Sequence, residues 1–451
     1  MVQLAFLLVG AQVVQRHWRS LALVGAAWAL LGVVVLIDPL DGVQDITMHT
    51  LGALLIVEGV VTLGAGLLTD TPGRLWTVRA AMLAVPGLLI VETPWRNVVL
   101  ISVLFGLALL ADGTVRVIAT LLVRFPGWRF AIAAGAVELV LAALALTPWP
   151  VSYQATVPFC VGVALVLSGW AVLRTAWLLR RLPADAPVTS LPIFRHQRGW
   201  HIPSTGQDRE LAAERGPDDS QMVVHVWTAV ASAADPLRRP LIDRYVAAVD
   251  RRGTVTTGHA ALEMPPDLYI SHYRLAEQDR SGTEFRQALH AGEQNSVPGR
   301  FLPAYAFEAA EWCEATEHVT FRRFSPGRLR GFWAAYSQDA TYNLTNRNCS
   351  VAVALALDAA LEGVLGRDTG WSRLLRLATH PDLYLATLLR KRAQSMTWTP
   401  GLVLDYARAL HNVVEPQPLS WPALVVHAVE DYRHIRRTHP RAAAPRRDKI
   451  A

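Results

Sequence analysis

Cysteine is scarce: three in 451 residues. That is too few for a disulfide framework, so the fold has to rest on packing. No Cys pair has metal-ligand spacing and the histidines are scattered, so no metal set or resident cofactor is expected. No basic face interleaved with aromatics stands out, which argues against nucleic acid as a partner. Charge is also unevenly missing. Residues 20–180 carry little of it, whereas residues 181–451 have the composition of an ordinary soluble protein. With 52% hydrophobic residues overall, a membrane half followed by a soluble half is the first expectation.

Six apolar runs occupy about 20–37, 48–68, 76–93, 97–123, 129–147 and 155–179. Most reach the roughly 20 residues that a spanning helix needs. The third is short and holds Arg79 and Pro86. The opening run, LAFLLVGAQVV, is too short to span. It has no basic n-region or small-residue cleavage site, so it is expected to be an interfacial helix leading into the first span.

Arginines set the expected orientation. Arg16, Arg19, Arg74, Arg79, Arg124, Arg129, Arg180 and Arg181 fall on one side of the spans and only Arg96 on the other. By the positive-inside rule, the N-terminus and the soluble half are both cytoplasmic, in a multi-pass protein of the plasma (inner) membrane. The basic balance, +6, suits contact with an anionic leaflet.

The membrane half repeats. Odd spans end at Pro39, Pro94 and Pro148, while even spans carry Glu58-Gly59, Asp112-Gly113 and Ser168-Gly169. Three helical hairpins of about 55 residues account for it, with glycines that let neighbouring helices approach closely. On these proline and glycine positions, residues 15–182 resemble the HdeD-like (DUF308) membrane proteins linked to acid resistance. That family brings no established reaction. Glu58, Asp112 and Glu138 lie within apolar runs. They read either as a proton or ion path or as neutral or paired carboxyls that hold the bundle together.

Residues 183–220, with five prolines from Pro183 to Pro217, read as a linker. Residues 221–415 read as an α+β domain, and 416–451 as a helix and basic tail. Strands are expected at 222–231, 256–264, 268–275 and 318–324, with a turn at Pro265-Pro266-Asp267. Helices are expected at 236–252, at 325–338 with Ser325 as N-cap and Pro326 first, from Cys349 onward, and in amphipathic form at 369–395 and 400–414.

The chemistry concentrates at two places. Gly258-His259 sits on a strand, and Asn348-Cys349 opens a helix. A helix start stabilises a thiolate, and a nearby imidazole takes its proton. A third polar group would orient the imidazole. The next strand offers His272 and Ser271, which face opposite ways and leave the choice to register. Cys313, among acids, is the weaker nucleophile; Cys160 reads as a buried hydrophobe. Tyr342, Asn346 and Asn348 read equally as site lining and as loop or capping residues.

GHAALEM, YISHY and YNLTNRNCS resemble the circularly permuted papain-like, NlpC-type superfamily, which includes lecithin:retinol acyltransferase-like enzymes. The resemblance covers residues 222–365. It implies Cys349 as nucleophile, His259 as base and His272 or Ser271 as the third group.

The expected function is a membrane-tethered cysteine hydrolase or acyltransferase acting on peptide, amide or lipid acyl groups near the cytoplasmic leaflet. Its partners are the bilayer and such a substrate, and association into a homo-oligomer stays open. The alternatives are a non-enzymatic stress protein with a binding module and a small proton-linked transporter.

Overall fold

The computed structural model describes residues 2–38, 45–67, 98–123, 128–147, 153–181, 220–229, 248–249, 255–275, 293–366, 377, 380–395 and 397–415, with 80–91 in part. The linker, the basic tail and half of the third apolar run lie outside them.

The first half is helical. After α1 (Val2–Val9) and α2 (Ala11–Arg16) come α3 (Trp18–Ile37), α4 (Asp45–Leu67), α5 (Val98–Val123), α6 (Trp128–Leu146) and α7 (Tyr153–Arg181). Among the described residues, four stretches are long and apolar enough to cross a membrane: Trp18–Ile37, Ser102–Leu121, Trp128–Leu146 and Pro158–Arg181. Their outward faces present Leu23, Phe130 and Leu167, the exposed apolar surface that lipid would cover.

The equivalent glycines of the even spans do a common job. A Cβ added at Gly59 would lie 3.0 Å from the Ala80 carbonyl oxygen; at Gly113, 3.1 Å from that of Gly135; at Gly169, 2.7 Å from that of Gly25. Each even span thus lies backbone-to-backbone against the next odd span, and the last closes onto the first. Among the described residues, these glycine contacts run between the sequence hairpins. Two of the intramembrane acids share one cation: Arg116 on α5 bonds Asp112 at 3.2 Å and Glu138 on α6 at 2.9 Å.

The second half is built on antiparallel sheet. Its strands are β1 (Met222–Trp227), β2 (Ala248–Val249), β3 (Val255–Thr256), β4 (His259–Met264), β5 (Leu268–Ile270), β6 (His272–Arg274) and β7 (Val297–Phe301). Helix α8 (Tyr305–Glu311) follows, then β8 (Glu317–Phe321), α9 (Pro326–Tyr336), β9 (Thr341–Tyr342), α10 (Cys349–Leu361), α11 (Pro381–Ser395) and α12 (Pro400–Val414). The main sheet runs β5-β4-β1-β8, and a second runs β6-β7-β9. Ser325 caps α9 with Pro326 at its start, as the sequence indicates. Ala248 and Val249 form a short strand against β3, where a helix over 236–252 was expected; the rest of that run lies outside the described residues. β-branched Val249 and Val255 pair directly there.

All thirteen residues of α10 are buried, so its all-round apolar character marks a central helix. It packs on the sheet face carrying Val224, Val226, Ala260 and Leu262. Asp358 on α10 bonds Arg390 on α11, and Tyr406 on α12 donates to Asp358 at 2.7 Å, closing the helical layer.

The apolar face of the opening helix, expected to meet lipid, is covered by protein. Leu4, Leu7 and Leu8 are at most 1% exposed and belong to the same core as α10 and β1, together with Leu179 from the end of α7. Backbone bonds fix it there: Gly363 N–H donates to Leu7 O and Leu365 N–H to Leu8 O, each 2.8 Å. Gly10 and Gly363, both at positive φ, meet where a side chain on Gly10 would come within 2.9 Å of the Gly363 backbone. Tyr384 on α11 also donates to Glu58 on α4 at 3.1 Å. The two halves therefore share a core and a polar contact.

Truncating a side chain of α1 is expected to destabilise the sheet half. Leu7→Ala should cost about 2–5 kcal/mol, read as a lower denaturant midpoint for the full chain in detergent, whereas Leu23→Ala on the exposed face of α3 should change little. Equal effects of the two would contradict the shared core.

Candidate functional site

Asn348 builds the mouth of α10. Its side-chain carbonyl accepts from Val351 N–H at 2.7 Å, which makes it the helix N-cap. Its amide donates to Leu344 O at 2.7 Å and Trp398 O at 3.1 Å. Asn343 turns the approach by accepting from the N–H groups of Thr345 and Asn346. These residues hold the loop and the cap, and so place Cys349 as the first helical residue, 7% exposed.

Gly258 delivers the imidazole. It sits at φ +71, and a Cβ there would come within 2.3 Å of the Trp227 carbonyl oxygen. Only glycine makes that turn into β4. His259 then begins β4, opposite Trp227, and is 3% exposed.

Strand register selects the next partner. Leu262 pairs with Ile270, so Ser271 falls on the same sheet face as His259 and His272 on the other. His259 Nε2 lies 2.9 Å from Ser271 Oγ and 3.3 Å from a Glu308 oxygen. That leaves Nδ1 for the thiol. His272 is turned away: its Nδ1 lies 3.1 Å from Tyr336 OH and its Nε2 3.3 Å from Ala340 O. Burial holds its pKa down at about 4, so it stays neutral at physiological pH. The structure thus brings Cys349, His259 and Ser271 together and leaves His272 outside.

Electrostatics join the pair. Burial pushes the Cys349 thiol up, yet the charge of His259, its hydrogen bond and the Ala260 N–H bring the thiol below its ordinary value. Burial pushes His259 down, yet Cys349 and then Glu308 bring it above its ordinary value. Each group draws the other toward its charged form. Cys313 lies elsewhere, half-buried, with its backbone carbonyl accepting from Trp227 Nε1–H at 2.8 Å.

Three further residues enter here that sequence reasoning did not select: Glu308, Tyr269 and Tyr273. Tyr273 stacks on His259, with ring centroids 4.1 Å apart. The alternation of Tyr269, Ser271 and Tyr273 across β5 and β6 was the available signal. Among the described residues, no group of three His, Cys, Asp or Glu side chains is placed to hold a metal ion.

No family model, curated protein or solved structure matches this chain. What the site can do is therefore read from its own groups: a buried thiol at a helix start, an imidazole bonded through Nε2, and a polar chain behind it.

Proposed function

We propose that the chain is a membrane-tethered cysteine-nucleophile hydrolase or acyltransferase of the permuted papain-like kind, acting on a peptide, amide or lipid acyl carbonyl. The observation that carries this reading is the buried coupling of Cys349 to His259, with Ser271 on the far ring nitrogen.

In this mechanism the Cys349 proton passes to His259 Nδ1, and the thiolate attacks the carbonyl carbon. Backbone N–H groups at the start of α10 stabilise the oxyanion. The tetrahedral adduct collapses, and the leaving group departs with the proton from His259, leaving a thioester on Cys349. Water, or an acyl acceptor, then gives its proton to His259 and attacks the thioester. Collapse expels the thiolate, which takes the proton back, and releases the acid or the acylated acceptor. Ser271 is the orienting third group in this proposal, in preference to His272.

We further propose a multi-pass plasma membrane protein with an HdeD-like bundle, whose N-terminus and sheet half face the cytoplasm. The eight arginines against one support that orientation. The sharing of Arg116 by Asp112 and Glu138 favours a helix-joining role for these acids over an ion path.

Limiting iodoacetamide at neutral pH is expected to alkylate Cys349 before the more exposed Cys313, as read by peptide mass spectrometry. His259→Ala should slow that labelling about tenfold or more, because the partner charge is lost. His272→Gln should leave it near wild type. If Cys349 labels no faster than Cys313, the nucleophile reading fails. For topology, a reporter fused after Arg181 should be active on the cytoplasmic side; activity on the opposite side would overturn the orientation.

A further inference from the structure

Glu308 is a buried carboxylate that the mechanism above does not use. It is 1% exposed, and four groups converge on it. Tyr269 OH donates to Oε2 at 2.6 Å, Ser271 Oγ donates to Oε2 at 2.9 Å, and Tyr273 OH donates to Oε1 at 2.7 Å. His259 Nε2 lies 3.3 Å from Oε1. A buried charge is tolerated only where it is paired and hydrogen-bonded, and three O–H donors supply that here.

The pattern also fixes the direction of every hydrogen bond. Ser271 has one hydrogen, and it is used on Glu308. Toward His259, Ser271 can therefore only accept, so Nε2 carries the hydrogen. Nδ1 is left bare toward the Cys349 thiol, which is the tautomer a base needs. Tyr273 covers one face of the same ring, so the imidazole is held at its edge and across its plane by groups that all depend on Glu308.

We propose that Glu308 is a positioning residue that locks the His259 tautomer through Ser271 and supplies the negative charge that balances the imidazolium. This rests on the reading of Cys349 as nucleophile. Glu308 touches no reacting atom. The proton moves from Sγ to Nδ1. Without its charge, the neutral thiol–imidazole pair gains over the thiolate–imidazolium pair, and the thiolate then appears only at higher pH.

The test is a pH series of Cys349 alkylation by iodoacetamide on the full chain in detergent, with the thermal midpoint measured alongside. Glu308→Gln keeps the size and an acceptor for the tyrosines while removing the charge. It should raise the labelling midpoint by about one pH unit or more and slow labelling at pH 6 about tenfold. Ser271→Ala should shift the midpoint the same way by less, and Glu308→Asp should restore part of the loss. A merely structural Glu308 would lower the thermal midpoint without moving the labelling midpoint, and that result overturns the proposal while Cys349 stands as nucleophile. If Glu308→Gln fails to fold, Ser271→Ala decides, and an unmoved labelling midpoint overturns the proposal. A wild-type Cys349 that titrates as a free thiol overturns both readings.

Discussion

A thiol and an imidazole buried side by side each resist ionisation, because burial penalises a charge on either one. The attraction between them reverses both tendencies, bringing the Cys349 thiol down and the His259 imidazole up. That reversal needs close and fixed geometry, and much of the sheet half is arranged to supply it. Asn348 pins the helix start, Gly258 turns the strand, and the register of β4 on β5 brings Ser271 behind the ring. Helix α10 is enclosed on every side, so the thiol at its first residue has little freedom to drift.

The same core extends into the membrane half. Leu4, Leu7 and Leu8 fill it beside α10, and Leu179 reaches it from the last long helix. The polypeptide therefore enters and leaves the helical bundle through the core of the sheet half. Arg180 lies 5.1 Å over the ring of Trp18, joining the ends of α3 and α7 at that junction. Such a connection holds the site at a set position relative to the bundle, unlike a domain on a loose tether.

Part of this was legible in the sequence, and the reasons are local. Gly258-His259 and Asn348-Cys349 each carry their own backbone signal, a forced turn and a cap, so both residues stood out. The choice between Ser271 and His272 did not, because it depends on where the strands begin to pair after the 265–267 turn. Glu308 gave no motif: it lies on a seven-residue helix and meets its partners only through tertiary packing. The opening apolar run misled for a different reason. Hydrophobicity says that a face must be covered, not whether lipid or protein covers it. The glycine periodicity announced close helix contacts, but not that each even span would meet the next odd one. Arg116 is a similar case, since sequence showed the acids but not the cation between them.

The most direct measurement is whether Cys349 takes up an acyl group. The full chain in detergent would be incubated with p-nitrophenyl acetate at neutral pH and its peptides read by mass spectrometry. A nucleophilic Cys349 should carry a hydroxylamine-labile acetyl thioester, absent in Cys349→Ser and strongly reduced in His259→Ala. Acetylation confined to Cys313 or to amines, with Cys349 unmodified, would contradict it.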